Sequence, residues 1–138
     1  MGTTTPKILI VEDAKNWAQT HKFMLGNHDI TDIVAVDNVD TALKWMDENR
    51  GGIVLTDSLG NLWRDIIEKG KSLGMRTIVI SAQSERNEPK FKEEVISLGG
   101  EFLSKTVFSN ADLSGEAYKN LAESLKGNVG GSIEASGR

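Results

Sequence analysis

Carboxylate, hydroxyl and ammonium side chains recur in this sequence at one kind of position, at or just after the end of a short apolar run. Glu12 and Asp13 follow the first run, Asp57 the third, Ser81 the fourth and Lys105 the fifth. Clustered carboxylates repel one another and raise each other's pKa unless a cation neutralises them. If these side chains meet, they have the parts of a site that accepts a phosphoryl group on a carboxylate.

The chemistry of such a site follows from the donors available. The chain contains no cysteine, and its two histidines, His21 and His28, are predicted to be structural or exposed and to lie away from the acids. The remaining ligands are oxygens, which suit Mg²⁺. In this interpretation Mg²⁺ covers one phosphoryl oxygen, the Lys105 ammonium a second and the Ser81 hydroxyl a third.

The elements that must position these groups alternate along the chain. Apolar runs predict strands over 7–11, 30–36, 53–56, 77–80 and 101–103. Periodic apolar positions predict a helix after each strand, with Asn38 capping the second and Pro89 in the first turn of the fourth. The final helix is expected to carry Leu113, Ala117, Leu121 and Leu125. The three tryptophans are interpreted as packing residues or surface anchors: Trp17, Trp45 and Trp63.

Five alternating β-α units predict an α/β fold, a single domain whose five-stranded parallel sheet has helices on both faces. Right-handed crossovers leave few topologies, and the flavodoxin-like strand order 2-1-3-4-5 is the usual solution. The mixed composition of 30–36 indicates an edge strand. This order puts strand 1 beside strand 3, and therefore Glu12 and Asp13 beside Asp57, with Ser81 and Lys105 at the same edge.

Length and composition limit the function classes. With 138 residues and a formal net charge of −4, the chain is predicted to form one domain over 6–126 and gives no electrostatic argument for nucleic acid. The Gly- and Ser-rich segment 127–138 is predicted to be a flexible tail, partly vector-derived. No apolar run approaches bilayer-spanning length and the start lacks a signal-peptide core, so we expect a soluble, cytoplasmic protein.

Four motifs in this order resemble those of the receiver domains of two-component response regulators. The matching segments are 8–13 (ILIVED), 53–57 (IVLTD), 78–82 (IVISA) and 102–105 (FLSK). The resemblance covers roughly Pro6 to Lys126. It implies that Asp57 is the phospho-acceptor, and that Mg²⁺ is held by Glu12, Asp13, Asp57 and the backbone carbonyl of Leu59.

The resemblance also implies a conformational switch. Ser81 matches the hydroxyl that moves toward the phosphoryl group, Lys105 the lysine that pairs with it, and Phe102 an aromatic switch position; ordinary packing of Phe102 is an equal alternative. Phosphorylation adds nearly two negative charges. Ser81 and Lys105 would be drawn in, the loop after strand 4 would shift and Phe102 would turn inward. The surface of the fourth helix, fifth strand and fifth helix would then change for a partner.

Two loops depart from the family's pattern. Thr106 follows Lys105 where receivers usually have a proline, often with a cis bond, and a cis bond before a residue other than proline is costly. The segment 58–62 (SLGNL) replaces the Met-Pro pair that many receivers carry after the acceptor. We predict that Leu59 and Gln83 leave water poorly positioned for attack on the acyl phosphate, so that phosphorylation is long-lived.

Three functions from different classes follow. The first is a switch phosphorylated by a histidine kinase or phosphotransfer protein, which catalyses its own phosphorylation and dephosphorylation without being a typical enzyme. It would bind a downstream protein, with no membrane partner and no DNA-binding domain in this chain expected. Whether it acts alone or is a receiver cut from a longer regulator stays open, as does dimerisation on phosphorylation. The second is a receiver-like interaction module that phosphorylation does not control. The third, an aspartyl-nucleophile phosphatase, is disfavoured because such enzymes need a second acid at the position of Leu59.

Overall fold

The computed structural model describes residues 6–127, which form five strands and six helices. The strands are Ile8–Val11 (β1), Ile33–Val36 (β2), Ile53–Thr56 (β3), Arg76–Ser81 (β4) and Glu101–Ser104 (β5). The helices are Lys15–Gly26 (α1), Val39–Glu48 (α2), Trp63–Leu73 (α3), Glu88–Ser97 (α4), Lys105–Ser109 (α5) and Ser114–Gly127 (α6). Apart from Gly127, which ends α6, the predicted tail over 127–138 lies outside the described residues.

All strand pairs are parallel, and the order β2-β1-β3-β4-β5 confirms the predicted topology. Every residue of the central strands β1 and β3 is buried, because helices cover both faces of the sheet. Two of the four residues of β2 are exposed, as its predicted edge position requires.

Successive residues of a strand point to opposite faces, which divides the core into layers. One face packs against α1, α5 and α6, through residues that include Ile10, Leu55, Leu25, Phe108 and Leu121. The opposite face packs against α2 and α3 and includes Leu9, Val54, Met46 and Ile66. A smaller cluster beneath α4 contains Trp63, Ile67, Val79 and Val95.

Local capping agrees with two sequence predictions. The Asn38 side chain accepts a 2.8 Å hydrogen bond from the Thr41 amide at the start of α2. Pro89 lies in the first turn of α4, where no intrahelical amide is needed. The predicted strand over 30–36 is shorter than expected, since the Ile30 amide closes the end of α1 on the Leu25 carbonyl and β2 begins only at Ile33.

The predicted final helix is present as α6, and a short helix that was not predicted, α5, precedes it. The Ser104 hydroxyl accepts a hydrogen bond from the Thr106 amide and caps the short helix α5. The Asn110 side chain then accepts from the amides of Asp112 and Leu113, which ends that turn before α6 begins. Every peptide bond in residues 6–127 is trans, including the one between Lys105 and Thr106.

None of the helices between residues 6 and 127 combines the length and the hydropathy that a bilayer-spanning segment needs.

Candidate functional site

The acids predicted to meet lie together at the carboxyl edge of the sheet. Val11 of β1 is in register with Thr56 of β3, and the Asp57 amide donates a 2.9 Å hydrogen bond to the Val11 carbonyl. Glu12 and Asp57 therefore leave the sheet side by side. Carboxylate oxygens of Glu12, Asp13 and Asp57 lie within 4.8 Å of one another. Glu12 is buried and Asp13 is exposed, so the group spans the boundary between core and solvent.

Lys105 lies among these acids, where β5 passes into α5. Its Nζ atom is 2.8 Å from Asp57 Oδ1 and 2.9 Å from Glu12 Oε1. Burial alone would lower the pKa of Lys105, but the hydrogen bonds and charges of Asp57 and Glu12 outweigh burial and leave that pKa raised. For Glu12, burial raises the pKa, and the hydrogen bond from Lys105 offsets this only in part.

Ser81 ends β4 opposite Ser104 of β5, one residue before Lys105. Its side chain is buried, and its hydroxyl accepts a 3.0 Å hydrogen bond from the Gln83 side-chain amide. The hydroxyl predicted to contact a phosphoryl group is thus at the expected edge, with Gln83 as its partner in this structure.

The loop after Asp57 folds back over the carboxylate. The Leu59 amide donates a 3.1 Å hydrogen bond to Asp57 Oδ2, so both carboxylate oxygens of Asp57 have donors. Leu59 achieves this with a φ of 49°, a left-handed conformation that is uncommon for a residue with a branched side chain. Its carbonyl accepts from the Leu62 amide, which leaves the second lone pair of that oxygen for another partner.

Phe102 packs beneath α4. Its ring lies 5.6 Å from that of Phe91, which in turn lies 5.1 Å from the ring of Trp63, both in edge-to-face geometry. Phe102 is partly buried, so the structure shows the packing contact and leaves the switch role a prediction. Trp63 is fully buried, and its Nε1 is the one buried side-chain nitrogen or oxygen without a hydrogen-bond partner in the described part of the chain.

The prediction that His21 lies away from the acids is wrong. The His21 side chain is buried and lines the same small cavity as Glu12 and Asp57. Its Nδ1 is 2.7 Å from the Tyr118 hydroxyl of α6. One signal was available in the sequence: Trp17, His21 and Leu25 are spaced by four on the buried face of a helix that begins just after Asp13.

His21 gives the fold a defined pH dependence. Burial lowers its pKa from 6.5 to about 4, the Lys105 charge adds to this and Asp57 opposes it. Between pH 6.5 and about 4, His21 takes up a proton in the unfolded chain but not in the folded chain. We therefore expect the free energy of unfolding to fall as pH decreases from 6.5 to 4, by about 3 kcal/mol for this group.

Urea denaturation across this pH range measures the effect as the difference between the unaltered chain and His21→Leu. The contribution of Glu12 has the opposite sign, because its pKa is raised, but it is common to both proteins. His28→Gln is the matched control and should keep the dependence. Parallel pH profiles for the unaltered chain and His21→Leu would contradict the assignment.

No protein-family model matches the sequence, and a search of curated proteins finds no match. Solved structures do match. A response regulator from Hahella chejuensis superposes with a TM-score of 0.74 at 12% identity, covering 87% of this chain and 94% of that one. The receiver domain of the Francisella response regulator 1452 gives 0.70 at 18% identity, covering 90% and 98%. The chemotaxis response regulator CheY4 of Vibrio cholerae gives 0.67 at 14% identity, covering 88% and 99%.

At these identities the likeness concerns the fold. This chain has the fold of response regulator receiver domains, which confirms the fold implied by the four sequence motifs.

Proposed function

We propose that this chain is a phosphorylatable signalling switch whose Asp57 accepts a phosphoryl group from a histidine kinase or a phosphotransfer protein. One observation carries the proposal: the Asp57 carboxylate lies between two further acids and the Lys105 ammonium, at the end of a parallel strand. Ligands of open α/β sheets bind at this edge. The receiver-domain fold supports the same assignment.

The donor set fits Mg²⁺, a hard cation that prefers carboxylate, carbonyl and water oxygens. Glu12, Asp13 and Asp57 would hold the metal, and the Leu59 carbonyl would add a further oxygen. One ammonium among three carboxylates leaves the cluster short of positive charge, which favours a second cation. When bound, Mg²⁺ neutralises charge on the phosphoryl oxygens.

The residues of the chain would act by positioning and by charge. An Asp57 carboxylate oxygen forms the new bond to phosphorus, while the P–N bond of a phosphohistidine donor breaks and the imidazole leaves with the electron pair. Lys105 and the Leu59 amide orient the carboxylate beforehand, since they hold one oxygen each. Lys105 then pairs with a phosphoryl oxygen, and the Ser81 hydroxyl, which accepts from Gln83 and keeps its own proton to donate, moves toward another.

The signal would travel through the groups that exchange partners. Phosphorylation adds nearly two negative charges at Asp57. Movement of Ser81 shifts the loop between β4 and α4, and Phe102 repacks beneath α4 against Phe91. The surface formed by α4, β5 and α6 then differs between the two states, and a downstream protein reads the difference.

A second candidate is an interaction module that uses the same surface without phosphorylation. The bonds of Lys105 to Glu12 and Asp57 favour it, because both carboxylates already have a cationic partner inside the chain. Under this candidate the acidic cluster is structural, neutralised by Lys105.

Incubation with Mg²⁺ and acetyl phosphate, followed by intact mass spectrometry and peptide mapping, tests the proposal. We expect a gain of one phosphoryl group on Asp57 that is absent in Asp57→Ala and retained in Asp112→Ala, an exposed control. Beryllofluoride should bind the unaltered chain and not Asp57→Ala. Absence of both the adduct and beryllofluoride binding would overturn the switch and favour the interaction module.

A further inference from the structure

An indole ring covers the central lysine of the site. Lys105 Nζ lies 5.1 Å from the centroid of the Trp17 ring, within the range of a cation–π contact. The ammonium donates to Asp57 and Glu12, so two of its three N–H groups are used by carboxylates. Trp17 thus adds a cation–π attraction that depends on where the ammonium lies and little on the directions of its N–H bonds.

Trp17 is itself held by buried aromatic groups. Its ring lies 5.3 Å from the His21 imidazole, one turn further along α1. His21 is joined to the Tyr118 hydroxyl, 97 positions away in sequence, and both rings contact Phe108 of α5. The low pKa of His21 keeps the imidazole neutral near pH 7, which suits a partner for a neutral phenol. Trp17, His21, Phe108 and Tyr118 therefore form a continuous aromatic row from the Lys105 ammonium to α6.

We infer that Trp17 is a positioning residue for the Lys105 ammonium, fixed in place by the buried hydrogen bond between His21 and Tyr118. A lysine side chain has four flexible carbons, and in the proposed function it must exchange a carboxylate for a phosphoryl oxygen. The ring contact persists during that exchange because it does not require a particular N–H direction. The effect of this contact on phosphorylation rests on the proposed function, whereas the contact itself can be measured without it.

The first measurement follows the ammonium directly, by NMR of protein labelled with ¹⁵N in its lysine side chains. Loss of one signal in Lys105→Arg assigns Lys105. The face of an aromatic ring shields nearby protons, whereas hydrogen bonds to Glu12 and Asp57 deshield them, so the ring contact is measured by the change in this signal when Trp17 is replaced. Trp17→Leu should move it downfield and speed its exchange with water. Phe23→Ala, at a 69% exposed residue of the same helix, should leave it unchanged.

The second measurement is the rate of Asp57 phosphorylation by acetyl phosphate at saturating Mg²⁺. The contact biases the ammonium toward the position that the reaction uses, and losing a bias of cation–π energy corresponds to roughly a 2- to 30-fold decrease. We expect Trp17→Leu to fall in that range, Trp17→Phe to recover part of the rate, and Tyr118→Phe, which keeps the ring and loses the hydroxyl, to show a smaller decrease. Phe23→Ala should match the unaltered chain.

The two measurements separate the possible failures. An unshifted Lys105 signal in Trp17→Leu overturns the inference, whatever the phosphorylation rates are. No adduct on the unaltered chain overturns the proposed function, and the ammonium signal alone then decides the inference. If Trp17→Leu does not fold, Trp17→Met, which fills more of the space without a ring, takes its place with the same two outcomes.

Discussion

Replacing Lys105 with methionine is expected to lower the free energy of unfolding by about 3–5 kcal/mol at neutral pH without divalent metal. The side chain of Glu12 is 3% exposed and that of Asp57 16%, and Lys105 is the cation that bonds to both. Its removal leaves two carboxylates facing each other with little solvent. The penalty comes mainly from these uncompensated charges, because methionine preserves most of the packed volume.

The sign of the pH dependence identifies the cause. Burial already raises the pKa of Glu12, and loss of the hydrogen bond from Lys105 raises it further. Protonation of Glu12 removes the repulsion, so the destabilisation should be larger at pH 7 than at pH 5. Chemical denaturation at the two pH values measures the difference. A penalty that does not change with pH would point to packing instead.

Lys69→Met is the matched control. Lys69 Nζ lies 2.8 Å from Asp47 Oδ1, but both side chains are substantially exposed. A surface pair of this kind contributes up to about 1 kcal/mol. Equal losses for Lys69→Met and Lys105→Met would contradict the view that burial of the acids sets the penalty.

The sheet and the position of its acids could be predicted because local patterns determine them. Short apolar runs fix the strands, and parallel pairing brings their carboxyl ends to one edge. Once β1 lies beside β3, Glu12 and Asp57 must emerge next to each other. Lys105 follows in the same way from the end of β5.

The aromatic row could not be predicted in this way. The bond between His21 and Tyr118 joins α1 to α6, and no local pattern records which helices share a face of the sheet. A histidine on the apolar face of a helix was expected to be structural or exposed, and only the packing of α6 shows why it can be buried. The contact between Trp17 and Lys105 depends on the same arrangement.

The division between α5 and α6 has a local cause that the apolar spacing concealed. The side chain of Asn110 accepts from two following amides, which competes with a continuous helix. Apolar residues on both sides of Asn110 keep helical spacing, so periodicity alone does not mark the end of α5. The side-chain hydrogen bonds decide the boundary.

Mg²⁺ is expected to stabilise the folded chain, and Asp13→Asn to weaken its apparent affinity roughly tenfold to a hundredfold. A ligand that binds only the folded state adds about 2.7 kcal/mol at a hundred times its Kd. Asp13 is the exposed member of the cluster and bonds to neither Lys105 nor the core, so its substitution should affect the metal more than the fold. Thermal unfolding across a Mg²⁺ series measures both.

The response of Lys105→Met to the same series separates a metal site from a general salt effect. The ammonium competes with a cation for Glu12 and Asp57, so its removal should increase the affinity for Mg²⁺ and let the metal restore much of the lost stability. Asp112→Asn, an exposed acid far along the chain, should behave as the unaltered protein. Equal Mg²⁺ shifts in Asp13→Asn, Asp112→Asn and Lys105→Met would mean that ionic strength, and not coordination by the three acids, stabilises the fold.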